Sequence, residues 1–507
     1  MNSRPFSWLA LVLTMICVAT VFAQQPQGTP TGGITLANPI SLSGRTAQNG
    51  SVTPQQSAVP GTTQSVNTLN ATVSIQGPYA QSVLSGKPLE GKLSLREAVE
   101  RGIVYNLGAI GLNNGAMQAH GQMRVARSSL LPNVNGSFRE VDQQTDLAAQ
   151  GLRLPIIPAI VGPYNYFDLR ATLNQSVADL AAWNNYRSAQ ENLKAAQMAQ
   201  RDAKDLVVLA VGGAYLQVIA AQARVESAKA QVATAKAVYD QTNQRRQVGL
   251  NAQIDVNRNL VEYQTQQQRL TTLQNDFAKQ KINLLRIIGL PASTPFELAD
   301  SVPFSTPPAV SFEDAVHQAL EARPDVKSAE ASYKSAQRTH SAAKSERLPS
   351  LAVEGDYGLI GTNPSQSHGT FSVTGTVRFP IWQGGRTEGD IEEATASLNQ
   401  RSAELSEVRG RVESDVRNAF LDLDAATSQL QVAESNRKVA QESLDLTRQR
   451  LEAGIADSVE VTQAQETAAT AELDYITSLL SHNLAKLSLA KALGNPEEKL
   501  SQYLALP

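Results

Sequence analysis

The stretch "FSVTGTVRFPIWQGGR", Phe371 to Arg386, decides how the chain reads. Apolar or small residues take every second position: Phe371, Val373, Gly375, Val377, Phe379 and Ile381. Ser372, Thr374, Thr376 and Arg378 stand between them. A period of two puts the two sets on opposite faces of a strand. Pro380 cannot donate to a β-ladder, so it marks where pairing ends. Gly384 and Gly385 give the chain freedom to bend. No proline follows from 381 to 495, where average usage would place about six. A two-faced strand therefore feeds a very long helix.

The same arrangement occurs earlier. "LSLREAV" (93–99) matches "VSFEDAV" (310–316) at a shift of 217, and "VGLNAQIDV" (248–256) matches "AGIADSVEV" (453–461) at a shift of 205. An internal repeat follows. The spacing predicts 91–290 as a first structural repeat, 291–308 as a Pro-rich linker, 309–496 as a second repeat and 497–507 as a C-terminal tail. Each repeat should open with one helix of about 36 residues, near 94–130 and 311–346, ending before Pro132 or Pro349. Two strands come next, at 133–141 and 167–177 in the first repeat and at 350–359 and Phe371 onward in the second. A long helix follows, with a 3,4-spaced seam: Val211, Ala214, Val218, Ala221, Val225 and Ala228, repeated as Val416, Ala419, Leu423, Ala426, Leu430 and Ala433. Such a seam is a coiled coil with closely approaching helices. The run 184–247 would be roughly 95 Å long. Gly249 and Gly454 stand where a helix C-terminus favours glycine, and a return helix follows each.

The rest of the composition narrows the function. Net charge is −3 with no basic block, so nothing points to nucleic acid. The first 23 residues read as a secretory signal peptide, with Arg4, an apolar run from Trp8 to Phe22 and a small residue at the cleavage point. Cys17 is the only cysteine, so the mature chain is expected to hold no thiol. Residues 24–90 are polar and nearly uncharged and are expected to be a disordered extension. The five histidines have no ligand-like spacing, and no catalytic or metal site is expected.

Four amphipathic strands of about ten residues cannot close a barrel alone, and an open edge in lipid leaves unpaired backbone groups. Barrels that span membranes have at least about eight strands, so the strands reach that size only by association: two chains supply eight, three supply twelve. The mature chain is read as lacking an 18-residue apolar run, which leaves β-strands to do the spanning. Asp168, Arg170, Glu354, Asp356 and Arg378 all fall on the polar face, where a water-filled lumen would accept them. Tyr164, Tyr166, Phe379 and Trp382 sit at strand ends, as aromatic girdles do.

"VTGTVRFPIWQGGRTEGDIEEA" (373–394), "RATLNQSVADLAAWNNYRSA" (170–189) and the two tips, "VGL" before Asp255 and "AGI" before Glu460, resemble the TolC-like outer-membrane efflux proteins. The resemblance runs over about 92–495. It implies a mixed α and β membrane fold: a homotrimer with one twelve-stranded outer-membrane β-barrel, four strands from each chain, continued by a long α-helical coiled-coil barrel across the periplasm. It implies a passive exit duct of a tripartite efflux or type I secretion system, embedded in outer-membrane lipid. Its partners would be a periplasmic adaptor protein and an inner-membrane pump, and it would need no cofactor. By the same resemblance Asp255, Glu460 and Gln463 lie at the periplasmic constriction. Gly249, Leu250, Gly454 and Ile455 form the adaptor-docking tips, and Pro380, Gly384 and Gly385 the strand-to-helix junction.

The sequence departs from the family where an arginine and a tyrosine help lock the closed gate; Ala456 and Leu451 stand there. Packing, or Arg245, Arg246 or Arg258, would have to take over that role. A secreted periplasmic coiled-coil adaptor or structural protein is the competing reading. Adaptors carry one hairpin between β-rich flanks, whereas this chain carries two hairpins and four amphipathic strands.

Overall fold

The computed structural model describes residues 50–58, 69–84, 89, 91–147, 149, 151, 158–300, 311–453, 455–456, 458–494 and 496–504. The signal-peptide segment 1–23, Cys17, Gly454 and the 301–308 part of the linker lie outside the described residues. In chain order the elements are β1 (Val52–Ala58), β2 (Leu69–Ile75), α1 (Leu95–Tyr105), α2 (Leu107–Ser128), β3 (Asn133–Asp146) and β4 (Ile160–Ala178). Then come α3 (Leu180–Gln247), α4 (Gln253–Ile287), α5 (Phe312–Ala322), α6 (Pro324–Ser345), β5 (Ser350–Gly361) and β6 (His368–Arg378). The chain continues through α7 (Arg386–Glu452), α8 (Ser458–Ala492) and α9 (Pro496–Leu504).

The opening helix of each half is broken, which corrects the expected 36-residue helices. Asn106 and Arg323 both take extended backbone, with ψ of 132° and 129°. Asn106 is fully buried. Its Oδ1 accepts from the Gly108 N–H at 2.9 Å, capping α2, and its Nδ2 donates to the Tyr79 carbonyl at 2.8 Å. Arg323 precedes Pro324, whose ring disfavours helical backbone in the residue before it. Ser94 and Ser311 cap α1 and α5, accepting from the Glu97 and Asp314 N–H groups.

The two long helices have 68 and 67 residues, about 100 Å each at 1.5 Å per residue. α3 and α4, and α7 and α8, form antiparallel hairpins. Two apolar cores hold them. One gathers Val207–Leu216 of α3, Leu284–Ile288 at the end of α4, and Leu484 and Leu487 of α8. The other gathers Val412, Val416 and Ala419 of α7 with Leu489, Leu493 and Tyr503. α8 thus turns one side to each core. The sequence reading missed an apolar window: α3 carries 18 residues of mean hydropathy 1.8. Since 72% of it is buried inside the fold, it is core rather than a membrane span.

Part of the expected disordered extension is ordered. β1 and β2 pair antiparallel from Val52↔Ile75 to Ala58↔Leu69, and Val52 and Tyr79 are buried at 2% and 5% exposure. This hairpin has too few apolar residues for a core of its own, so it uses that of α3. A Cβ on Gly213 would come within 2.6 Å of Val73, and one on Gly212 within 2.8 Å of Leu487. The adjacent glycines let the hairpin and α8 approach the α3 backbone from two sides. The described part of the linker also packs: Phe296 is buried, and the Asp300 carboxylate accepts from the Leu95 N–H at 2.6 Å and from the Tyr215 hydroxyl at 3.1 Å.

Candidate functional site

The four long strands form one antiparallel sheet in the order β3-β4-β5-β6. Its register lines up Val134↔Leu173↔Gly355↔Val373, Gly136↔Ala171↔Tyr357↔Phe371 and Phe138↔Leu169↔Leu359↔Gly369. Opposed residues share a face, so every apolar set falls on the same side. That side is open: Phe371, Val373 and Phe138 are 78%, 74% and 66% exposed. A contiguous apolar face of this kind marks an interaction surface or a membrane.

The other face is polar and tied together. Arg170 pairs with Asp168 on its own strand at 3.2 Å and with Asp356 on the neighbouring β5, and its Nη2 donates to the Thr370 hydroxyl on β6 at 3.2 Å. Ser372 donates to Asp356. β4, β5 and β6 are thus cross-linked by side chains on the face where charge is tolerated. β3 and β6 end the strand order, so their outer ladders meet no strand among the described residues.

β6 passes to α7 through the segment that holds Pro380, Gly384 and Gly385. The last ladder pair is Ser350↔Arg378, and Pro380 follows directly after pairing ends. Gly384 and Gly385 have φ of +63° and +85°, a region side chains resist, and α7 starts at the next residue. Phe379, Ile381 and Trp382 stand 66%, 95% and 87% exposed at this sheet end. The reading missed the aromatic pair at the start of α3, Trp183 and Tyr186, with the Arg187 guanidinium 5.9 Å from the Trp183 ring centroid.

At the far end of the helices, Gly249 takes φ +78°, and the Leu250 N–H donates back to the Arg245 carbonyl at 2.8 Å. In the second hairpin the Ile455 N–H donates to the Arg450 carbonyl at 2.9 Å. Leu250 and Ile455 are 75% and 70% exposed, and Val248 and Ile254 stand out beside them. Asp255 lies in the first turn of α4, 3.9 Å from Arg258. Glu460 lies in the first turn of α8, 3.4 Å from Arg450 across the turn. Arg258 was among the arginines considered; Arg450 was not. Gln463 is exposed one turn further on. Between α3 and α4 near the tip, the buried Asn259 amide donates to Thr242 at 2.8 Å, a polar link the sequence did not reveal.

A sheet that turns its apolar face outward, continued by paired helices of about 100 Å that end in small exposed tips, defines a membrane-anchored exit duct. The chain belongs to the outer membrane efflux protein family, whose profile matches residues 115–290 and 315–495. It is 22% identical over 390 residues to the outer membrane protein TolC of Vibrio cholerae, covering 74% of this chain and 84% of that one. It is 24% identical over 422 residues to the probable efflux pump outer membrane protein TtgC of Pseudomonas putida, covering 79% and 83%. Among solved structures, the outer membrane protein VceC of Vibrio cholerae shares the fold with a TM-score of 0.68 at 16% identity, over 79% of this chain and 96% of that one. The outer membrane channel CmeC of Campylobacter jejuni does so at 0.68 and 15%, over 89% and 98%. The protein is an outer-membrane channel of the efflux type, with its helices in the periplasm. Its relatives are channels rather than enzymes.

Proposed function

We propose that three copies of this chain assemble into one passive duct, with twelve strands closing a barrel in the outer membrane and the helical hairpins forming a periplasmic tunnel. The observation that carries this is the sheet: its apolar face is open, its polar face is salt-bridged, and both its edges are free among the described residues. A free edge in lipid is costly, and closing four-stranded sheets into a ring removes every edge. On this reading the polar face with Asp168, Arg170 and Asp356 lines the lumen.

The halves of the chain are two copies of one unit. Supporting this, α1 and α5 both have 11 residues, α2 and α6 both 22, and α4 and α8 both 35. Three chains with two hairpins each would give a ring of near-equivalent helical pairs. The tips close that ring. Asp255, Glu460 and Gln463 face the constriction, and Arg258 and Arg450 hold the acidic groups in place of the family's usual arginine lock. Leu250 and Ile455, with the glycines beside them, meet the tips of a periplasmic adaptor that connects to an inner-membrane pump.

Single-channel recording in a planar bilayer tests this. The expected outcome is a detergent-resistant trimer with a small cation-preferring conductance. A soluble, non-conducting monomer would favour the coiled-coil adaptor instead.

A further inference from the structure

The two long outgoing helices carry different outer faces. On α7, Val432, Val439 and Leu446 recur every seventh residue and stand 52%, 62% and 60% exposed. They lie away from the seam that α7 shares with α8, whose Leu430, Ala433, Ala440 and Leu444 are buried. A heptad apolar stripe is the mark of a helix with a further partner. At the equivalent places on α3, 205 residues earlier, stand Ser227, Thr234 and Gln241. Ser227 and Thr234 line the half-open cavity between the two hairpins of the chain. α4 likewise exposes Ile254 and Val261, at 58% and 62%, and the place of Val261 is taken by Glu466 on α8.

What covers these stripes follows from the contact between the halves. α3 of the first half packs antiparallel on α8 of the second: a Cβ on Gly212 would meet Leu487, and Arg224 donates to the Thr477 hydroxyl at 3.1 Å. α7 and α4 of the same chain do not pack along their lengths among the described residues. In a ring of equivalent repeats α7 must meet an α4 as α3 meets α8, and only another copy can supply it. Such a head-to-tail contact closes into a ring when its rotation does. Shifting both in-chain contacts by 205 sets Arg417 beside Ile282 and Gln429 beside Thr272. Both helices advance about 1.5 Å per residue in opposite directions, so this register runs on to the tips. It sets Val439 level with Val261 and Leu446 level with Ile254, and between them Glu442 level with Arg258. Apolar thus meets apolar and anion meets cation, in a register fixed by other residues.

We propose that α7 of one copy and α4 of the next form the seam between chains, closed by Val439 on Val261 and Leu446 on Ile254, with Glu442 paired to Arg258. This rests on the ring of copies proposed above and names the surface that holds it together. Each apolar pair takes two exposed side chains out of water. Glu442 is exposed in the single chain. Arg258 lies 3.9 Å from Asp255 with 58% of its side chain exposed, and a guanidinium has five donors to divide between two carboxylates. Association costs translational and rotational freedom that a contact within one chain does not lose. That accounts for apolar residues on α7 where α3 has Ser227, Thr234 and Gln241.

The test is disulfide trapping with two populations of the full chain, one carrying Val439→Cys and the other Val261→Cys, co-expressed and oxidised in the membrane. The one native cysteine, Cys17, lies in the segment read as a signal peptide. Covalent dimers are expected from the mixture and from neither population alone. Val439→Cys with Gln268→Cys is the register control. Gln268 lies seven residues from Val261, about 10.5 Å along α4, beyond the roughly 7 Å Cα separation that a disulfide can bridge. Glu442→Arg should slow trapping by about two- to fivefold, and Arg258→Glu added in the partner should restore it. Three results overturn the seam and leave the duct standing: oligomers of unchanged size with no dimer between positions 439 and 261, equal trapping at 439 and 268, or a double reversal no faster than Glu442→Arg alone. Trapped dimers in a chain that does not conduct keep the seam and remove the duct. A chain that stays monomeric removes both.

Discussion

The sheet and the helical hairpins treat apolar side chains in opposite ways. Along the hairpin seams Val211, Ala214, Val218, Val416, Ala419 and Ala426 are at most 5% exposed. Along β6, Phe371 and Val373 are 78% and 74% exposed, while Asp168, Arg170 and Asp356 point to the other side and pair there. Both regions follow one rule with the solvent exchanged. The hairpins hide apolar surface from water; in the proposed barrel the sheet would offer it to lipid and keep charge for an aqueous lumen. On that proposal the membrane boundary falls in the few residues between Arg378 and Arg386, where Phe379, Ile381 and Trp382 are exposed and the two glycines have positive φ.

The largest effect that would test the contrast belongs in a seam. Val416 is fully buried between Ala485, Leu489 and the rest of the second core. Val416→Asp places an unpaired charge there, and a loss of about 4 kcal/mol or more is expected. The yield of folded, heat-resistant protein measures it; near-normal yield would mean the seam is not a dry core. Next in size is a pair of changes in one strand. Val373→Arg puts a cation on the outward apolar face and should cost about 2–4 kcal/mol near the bilayer midplane. Thr374→Arg, one residue on, faces the polar side opposite Glu354 and should be tolerated within about 1 kcal/mol. Reversal of that order, read by assembly into the outer membrane, would exchange the two faces and remove the barrel.

How much of this was legible in the sequence depends on the range of the contact. The strands and tips were readable because alternation and glycine act locally: Phe371 to Arg378 and Gly249 carry their own signal. The break at Asn106 was not, because the Asn106 amide needs the Tyr79 carbonyl 27 residues away. The break at Arg323 was written in Pro324, since the residue before a proline avoids helical backbone. The β1–β2 hairpin alternates Leu69, Ala71, Val73 and Ile75, a strand signal masked by polar neighbours, and its core comes from Gly213 far along the chain. Arg450 joins Glu460 only after the turn has formed.

A third prediction uses a buried acid that belongs to neither solvent pattern. Asp205 in α3 is 9% exposed. Burial pushes its carboxyl up, from 3.8 to about 7, and the negative charge of Asp202 adds to the shift while Lys491 opposes it. Between pH 4 and 7 the native group keeps a proton that the unfolded chain has given up. Stability therefore falls as pH rises through that window and levels once the native group ionises above about 7. Asp205→Asn should flatten this fall and raise stability at pH 8 by about 1–3 kcal/mol, with Asp202 retaining part of the dependence. Denaturation at pH 5 and pH 8 reads the difference. A variant that loses stability equally at both would show that Asp205 is held by hydrogen bonds to its ionised form.

The smallest effect probes the tips, where Ala456 and Leu451 stand and Glu460 meets Arg450. Glu460 and Arg450 are both about half exposed, 3.4 Å apart, so their mutual attraction is worth at most about 1 kcal/mol and fades with salt. If three such pairs surround one axis, each arginine cancels part of the field that its glutamate would impose on passing ions. Glu460→Ala should then lower the cation-to-anion permeability ratio, and Arg450→Ala should raise it, each by about two- to threefold at low salt and less at high salt. The opposite signs are the useful part. A change in general tip looseness would move conductance in the same direction for both variants, whereas a charge effect at the constriction must move selectivity in opposite directions. If both variants leave selectivity unchanged while conductance rises, the pair serves to cap the turn at Ile455, and the constriction lies elsewhere along the helices.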